Sequence, residues 1–195
     1  NYVLLNSTNF LNEKDINNFN NLIKKRSLGS PIAYLTNRKF FWNSEFVVTK
    51  DTLIPRPDTE VIIENALSLT KQKNKINILD IGVGSGAILL SILKEKKGFL
   101  GTGIDISNIC LNLCKKNANK LRVYDRVKLF KSNIDNFTLG KYDLIISNPP
   151  YIKKLDLKYL SREVINFEPK LALNGGLDGL SEIRKVINKS AELIK

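Results

Sequence analysis

The chain has 195 residues, 43% hydrophobic and 26% charged, and a formal net charge of +12. That length supports one ordinary core plus a small appendage, and the charge admits nucleic acid or an acidic protein as partner. No histidine is present, which excludes serine–histidine triads, zinc–histidine centres and imidazole acid–base catalysis.

The positive excess is mostly lysine, 24 Lys to 7 Arg, with no block of like charge. It reads as solvated faces rather than a tail. No apolar run nears the roughly 18 residues a membrane span needs, and no signal-peptide pattern opens the chain. The sequence begins at Asn1 and has no methionine, which is read as a segment whose natural start is absent.

Residues 1–28 read as helical, with Ile16, Phe19, Leu22 and Ile23 at helical spacing and Gly29 as the stop. In "NRKFFWNSEFVV", Phe40, Trp42, Phe46 and Val48 fall at even spacing around a turn at "NSE". That predicts a β-hairpin linking two regions. After Pro57, "DTEVIIENALSLTKQK" reads as a helix, capped at Asp58 or Thr59, with Ile62, Ile63, Ala66 and Leu67 as its buried stripe.

From Lys75 strands and helices alternate. "INILDI", "FLGTGID", "RVKLFKS" and "YDLIIS" read as strands. "GAILLSILKEKKG" and "SNICLNLCKKNANKL" read as the helices between them. This is the pattern of a doubly wound parallel sheet. "DGLSEIRKVINKSAELIK" reads as a helix reaching the last residue. "YDLIIS" would then be a bare apolar edge, so further strands are expected beyond the segment. Cys110 and Cys114 share a helix face and read as core thiols of a reducing compartment, not as metal ligands.

Three motifs carry chemistry. "DIGVGSG", Asp80 to Gly86, joins the first strand of the sheet to its helix. Its glycines allow a tight turn and close backbone approach to a ligand. Asp105 of "GIDIS" ends the next strand, 23 residues beyond Gly82, where a carboxylate accepts both ribose hydroxyls. NAD and S-adenosylmethionine both fit that far.

"SNPPY" separates them. Two prolines cannot continue a paired strand, so the strand ends at Ser147 and a donor-poor corner follows. A side-chain amide nitrogen is a poor nucleophile, because its lone pair is delocalised. Two acceptors facing its two N–H groups would aim it at a methyl donor. The Asn148 side-chain oxygen is one, and the Pro149 carbonyl, set by the rigid Pro149–Pro150 backbone, is the other. Tyr151 would stack on the amide and face a sulfonium methyl.

At these residues the chain resembles the HemK/PrmC family, the protein-(glutamine-N5) methyltransferases of class I peptide chain release factors. The resemblance runs from "LIKKRSLGSPIAYLTNRKFFW" through "TLIPRPDTE", "DIGVGSGAI", "GIDIS" and "SNPPYI" to "FEPKLALNGGLDGL". The NPPY tetrapeptide alone is shared with DNA and RNA amino-methyltransferases; the upstream blocks narrow it.

The resemblance implies an α/β fold, a Rossmann-like class I S-adenosylmethionine-dependent methyltransferase domain over residues 57–195 that lacks its C-terminal strands. A β-hairpin linker over 31–56 and the end of a helical release-factor-recognition domain over 1–30 would precede it. Gly82, Val83, Gly84, Ser85 and Gly86 would line the methionine part of the donor, and Asp105 would hold the ribose. Asn133 and Ile134 stand where the family often has an acidic and then an aromatic or apolar residue near adenine. There Asn133 would bond the amino group and Ile134 only pack. Asn148, Pro149, Pro150 and Tyr151 would hold the glutamine of a Gly-Gly-Gln motif, with Asn148 also beside the donor. Arg56, Thr59 and Glu60 would shape the same cleft. The resemblance implies a cytoplasmic, monomeric enzyme with class I release factors as its protein substrate, no metal, no membrane and no stable nucleic-acid partner required. The alternatives are an amino-methyltransferase of the same fold acting on a DNA or RNA base or a ribosomal protein, and a nicotinamide or other nucleotide-binding module.

Overall fold

The computed structural model describes residues 6, 8 and 10–195. The part of the expected first helix that falls on residues 1–5, 7 and 9 lies outside them. Helix α1 (Glu13–Ser27) starts at Asn12, whose side-chain oxygen accepts the Asp15 N–H at 2.9 Å. It buries no side chain: Ile16, Phe19, Leu22 and Ile23 form the expected stripe but face outward. A short helix α2 (Ile32–Thr36) follows.

Strands β1 (Arg38–Phe41) and β2 (Ser44–Val47) form an antiparallel hairpin. Its inward set differs from the even spacing. Phe41 pairs with Ser44 across a two-residue turn, and Trp42 takes φ 50° there. Phe41, Phe46 and Val48 are therefore buried, while Phe40 is 73% exposed. The tight turn comes one residue earlier than "NSE" and flips the face of the first strand.

Helix α3 (Glu60–Leu69) follows a single 3-10 turn at Pro57–Thr59. Thr59 occupies its N-cap position without a side-chain hydrogen bond, and Ile63 and Ala66 are its buried residues. Then come β3 (Asn77–Ile81), α4 (Ala87–Glu95), β4 (Leu100–Asp105), α5 (Asn108–Lys120), β5 (Val127–Lys131) and β6 (Leu144–Ser147). The four strands form one parallel sheet, ordered β5-β4-β3-β6.

Successive residues of β3 point to opposite faces, and both faces are covered. Ile78 packs with Leu89, Leu93 and Phe99 on one side. Leu79 and Ile81 pack with Ile104, Phe137 and Leu193 on the other. This double burial is why the strands read as unbroken apolar runs. After β6 the chain makes helix α6 (Arg162–Phe167) and helix α7 (Ser181–Leu193). The last helix stops at Leu193, short of the expected end. Ile194 turns extended and bridges Tyr142, two residues before β6, in parallel.

Candidate active site

The order β4-β3-β6 reverses direction at β3, and ligands of open α/β sheets bind at such a point, beyond the strands' carboxyl ends. A cavity of about 870 Å³ opens there. It is lined by Gly82 to Ser85, by Asp105, by Asn133 and Ile134, and by Asn148 to Pro150. Three motifs far apart in sequence thus share one wall.

The turn after β3 is held from behind. The N–H groups of Gly82 and Val83 both donate to the Ile104 carbonyl at 2.9 Å. Gly82 has φ 77°, and a Cβ added there would meet nothing within 4 Å. The loop therefore offers bare backbone to open space. Gly86 differs. Its φ is 82°, and a Cβ would lie 2.6 Å from Cys114 Sγ and 2.7 Å from Leu90. Gly86 does not line the cavity; it lets α4 pack closely against α5. Ser85 is buried, and its carbonyl accepts from Asn117 Nδ2 at 2.8 Å.

Asp105 lines the cavity with a carboxylate braced by two backbone donors, Gly84 N–H at 3.0 Å and Ser107 N–H at 2.9 Å. Each oxygen accepts one of them and retains further acceptor capacity, which fits a vicinal diol. Below it lies Asp80, fully buried and also on the cavity wall. Burial is the main cause that pushes its pKa up to about 7, and the neighbouring Asp105 charge adds to the rise. Sequence reasoning did not single out Asp80 as a site residue. The signal was available: an acidic residue inside an apolar strand directly before a glycine turn.

Asn133 reaches the cavity, but its side-chain oxygen accepts the Asn136 N–H at 2.9 Å. Ile134 also lines the wall and is otherwise buried with Phe137. Asn148 and Pro150 are half-buried in the cavity lining, and the Ser147 hydroxyl donates to the Ile81 carbonyl at 2.7 Å. That bond ties the corner to β3. Tyr151 is 62% exposed and does not line the cavity.

Arg56 and Thr59 line the same cavity. Glu60 does not: it accepts the Trp42 N–H at 2.7 Å and secures the hairpin turn. Burial holds the thiols of Cys110 and Cys114 above their ordinary pKa, so both stay protonated at neutral pH.

The turn's open backbone, the braced carboxylate and the cavity size fit a nucleoside-type methyl donor, since ligand pockets run to about 300–1,000 Å³. Comparison with known proteins agrees. The family model for the methyltransferase small domain matches residues 58–177. A release factor glutamine methyltransferase of Buchnera aphidicola subsp. Schizaphis graminum is 37% identical over 98% of this chain and 69% of its own length. The chain belongs to the release factor glutamine methyltransferase family. Another member, from Buchnera aphidicola subsp. Acyrthosiphon pisum, is 42% identical over 92% of this chain. The chain spans 64% of that relative's length. Among solved structures, the hMettl16 catalytic domain in complex with the MAT2A 3'UTR hairpin 6 aligns with TM-score 0.62. It is 18% identical and covers 77% of this chain and 58% of that one. That likeness shows the methyltransferase fold. No described helix is long and apolar enough to cross a membrane.

Proposed function

We propose that this protein transfers a methyl group from S-adenosylmethionine to the side-chain amide nitrogen of the glutamine in the Gly-Gly-Gln motif of class I release factors. The observation that carries this reading is the single cavity wall shared by the glycine turn, Asp105 and the Asn148–Pro150 corner. Family membership supports this reaction, and the wall supplies parts for it.

Asp105 would take the ribose hydroxyls, and the Gly82–Ser85 backbone would take the methionine part. When bound, the donor supplies an electrophilic methyl, whose bond to sulfur breaks as its bond to nitrogen forms. Asn148 Oδ1 and the Pro149 carbonyl would accept the two N–H groups of the glutamine amide and aim its nitrogen. The prolines contribute no competing donor. Methyl transfer makes the nitrogen's remaining protons acidic, so one leaves to water without a histidine base. Alignment supplies most of the rate. Tyr151, exposed at the rim, would meet the incoming loop rather than the donor.

On this reading residues 1–30 belong to a recognition domain, 31–56 to a linker and 57–195 to the catalytic unit. The protein works in the cytoplasm as a monomer. The test is the mass of the Gly-Gly-Gln peptide after incubating full-length protein, donor and release factor. One added methyl, absent when the glutamine is substituted, is the expected result. No added methyl with donor still bound would redirect the assignment to a nucleic-acid or ribosomal-protein amine, the reading that the +12 charge favours.

A further inference from the structure

The Asn148–Tyr151 corner cannot hold itself in place. Its prolines have no N–H to give. The hydrogen bonds begin one residue later and come from a distant segment. Ile152 N–H donates to the Leu173 carbonyl at 3.1 Å, and Gly175 N–H donates back to the Ile152 carbonyl at 2.8 Å. Lys154 N–H donates to the Gly176 carbonyl at 2.8 Å. Ile152 and Asn174 form a parallel bridge.

The packing is closer than any side chain allows. A Cβ on Gly175 would stand 2.8 Å from Tyr151 Cα and 2.9 Å from the Pro150 oxygen. These are backbone atoms, which cannot swing aside. Gly175 has no positive φ, so its need for glycine is steric: a Cβ would also stand 2.6 Å from the Gly179 carbonyl oxygen of its own segment, and the other two close atoms belong to the corner. Gly179 repeats the contact, with a Cβ that would lie 2.5 Å from the Tyr151 oxygen.

The segment is anchored at its other end. The Glu168 side chain is 2% exposed and ion-paired with Arg56. Its Oε2 is buried with no hydrogen-bond partner among the described residues. A buried carboxylate so placed depends on its one cation. Arg56 comes from the stretch before α3 and lines the cavity. The pair therefore fastens the segment after the corner to the stretch before the sheet.

We propose that Glu168–Gly179 is a brace that sets where the Pro149–Tyr151 backbone stands against the cavity, with Gly175 as its positioning residue and Arg56–Glu168 as its anchor. This rests on reading the corner as the acceptor of the substrate amide. The donor's end of the cavity, at Gly82 and Asp105, lies on other elements. A shift of the corner therefore changes alignment of the nucleophile and leaves donor binding alone.

The test uses the full-length chain carrying Gly175→Ala. The expected result is a kcat for the release factor lowered about tenfold or more, donor affinity by calorimetry within about twofold of wild type, and faster hydrogen exchange at the Ile152 and Lys154 amides. Glu168→Gln, an isosteric neutral change, should show the same pattern more weakly, and it carries the test if the alanine variant does not fold. Unchanged kcat and exchange, or donor affinity falling in step with kcat, would overturn the brace. If wild-type protein methylates no release factor, the functional reading fails, while exchange at the two amides still decides the brace.

Discussion

The Asn117 side chain joins the hairpin to the donor loop: its Nδ2 donates to the Ser85 carbonyl at 2.8 Å and to the Val47 carbonyl at 3.0 Å, and its Oδ1 accepts the Val47 N–H at 2.8 Å. Asn117 is fully buried on α5. One amide thus completes the outer edge of β2 and steadies the glycine turn. Linker and donor site share a support that neither motif contains.

Asn117→Leu removes that support and leaves three backbone groups without partners. Each buried unsatisfied group costs about 1–3 kcal/mol, so a loss of about 3 kcal/mol or more in urea unfolding is expected. Asn117→Asp should be no milder, because it sets a second acceptor against two carbonyls. A loss under about 1 kcal/mol in both variants would show that water replaces the amide and that the link is not structural.

Asn148→Ala and Asp105→Ala should separate alignment from binding. Removing the Asn148 acceptor should lower kcat about a hundredfold with donor affinity nearly unchanged. Removing the Asp105 carboxylate should weaken donor binding about tenfold or more, the scale of a charge-assisted hydrogen bond. Steady-state kinetics with calorimetry for both variants would check this. Equal losses of donor binding would contradict the division of roles along the cavity wall.

The parallel sheet was legible because burial on both faces forces unbroken apolar runs, as in "INILDI" and "YDLIIS". The glycine turn and Asp105 were legible for the same reason: they interrupt those runs at strand ends. What stayed hidden depends on contacts between distant residues. Asn117 and Asn119 sit in one polar stretch, "KKNANK", yet one is fully buried and the other exposed. Glu168 reads as another surface acid until Arg56 is seen beside it. The inward face of the first hairpin strand also stayed hidden, because Trp42 takes a left-handed conformation that no spacing rule foresees.

Asp80 should make stability fall as pH rises. Its folded pKa, about 7, lies above its ordinary value of 3.8. The native state therefore holds its proton where the unfolded state has lost it. The stabilisation is full below about pH 4 and is lost as pH rises toward 7. The exposed acids Asp143 and Asp178, held low by hydrogen bonds, have the opposite slope at lower pH. Comparing wild type with Asp80→Asn isolates the buried group. Unfolding midpoints from pH 4 to 7 should decline less in the variant; parallel curves would mean that Asp80 ionises freely.

Gly82→Ala and Gly86→Ala should fail in different ways, although both residues sit in one turn at positive φ. Each pays the strain of a left-handed alanine, about 1 kcal/mol. At Gly82 the added methyl meets no protein atom and projects into open space. Its expected effect is weaker donor binding with a modest change in the unfolding midpoint. At Gly86 the methyl runs into Cys114 and Leu90 between two packed helices. There the cost is overpacking, about 1–3 kcal/mol beyond the strain. Thermal unfolding paired with donor calorimetry reads both. The decisive result is the cross-comparison: Gly86→Ala should be the less stable variant and Gly82→Ala the weaker binder, and the reverse order would place the donor against the other side of the turn.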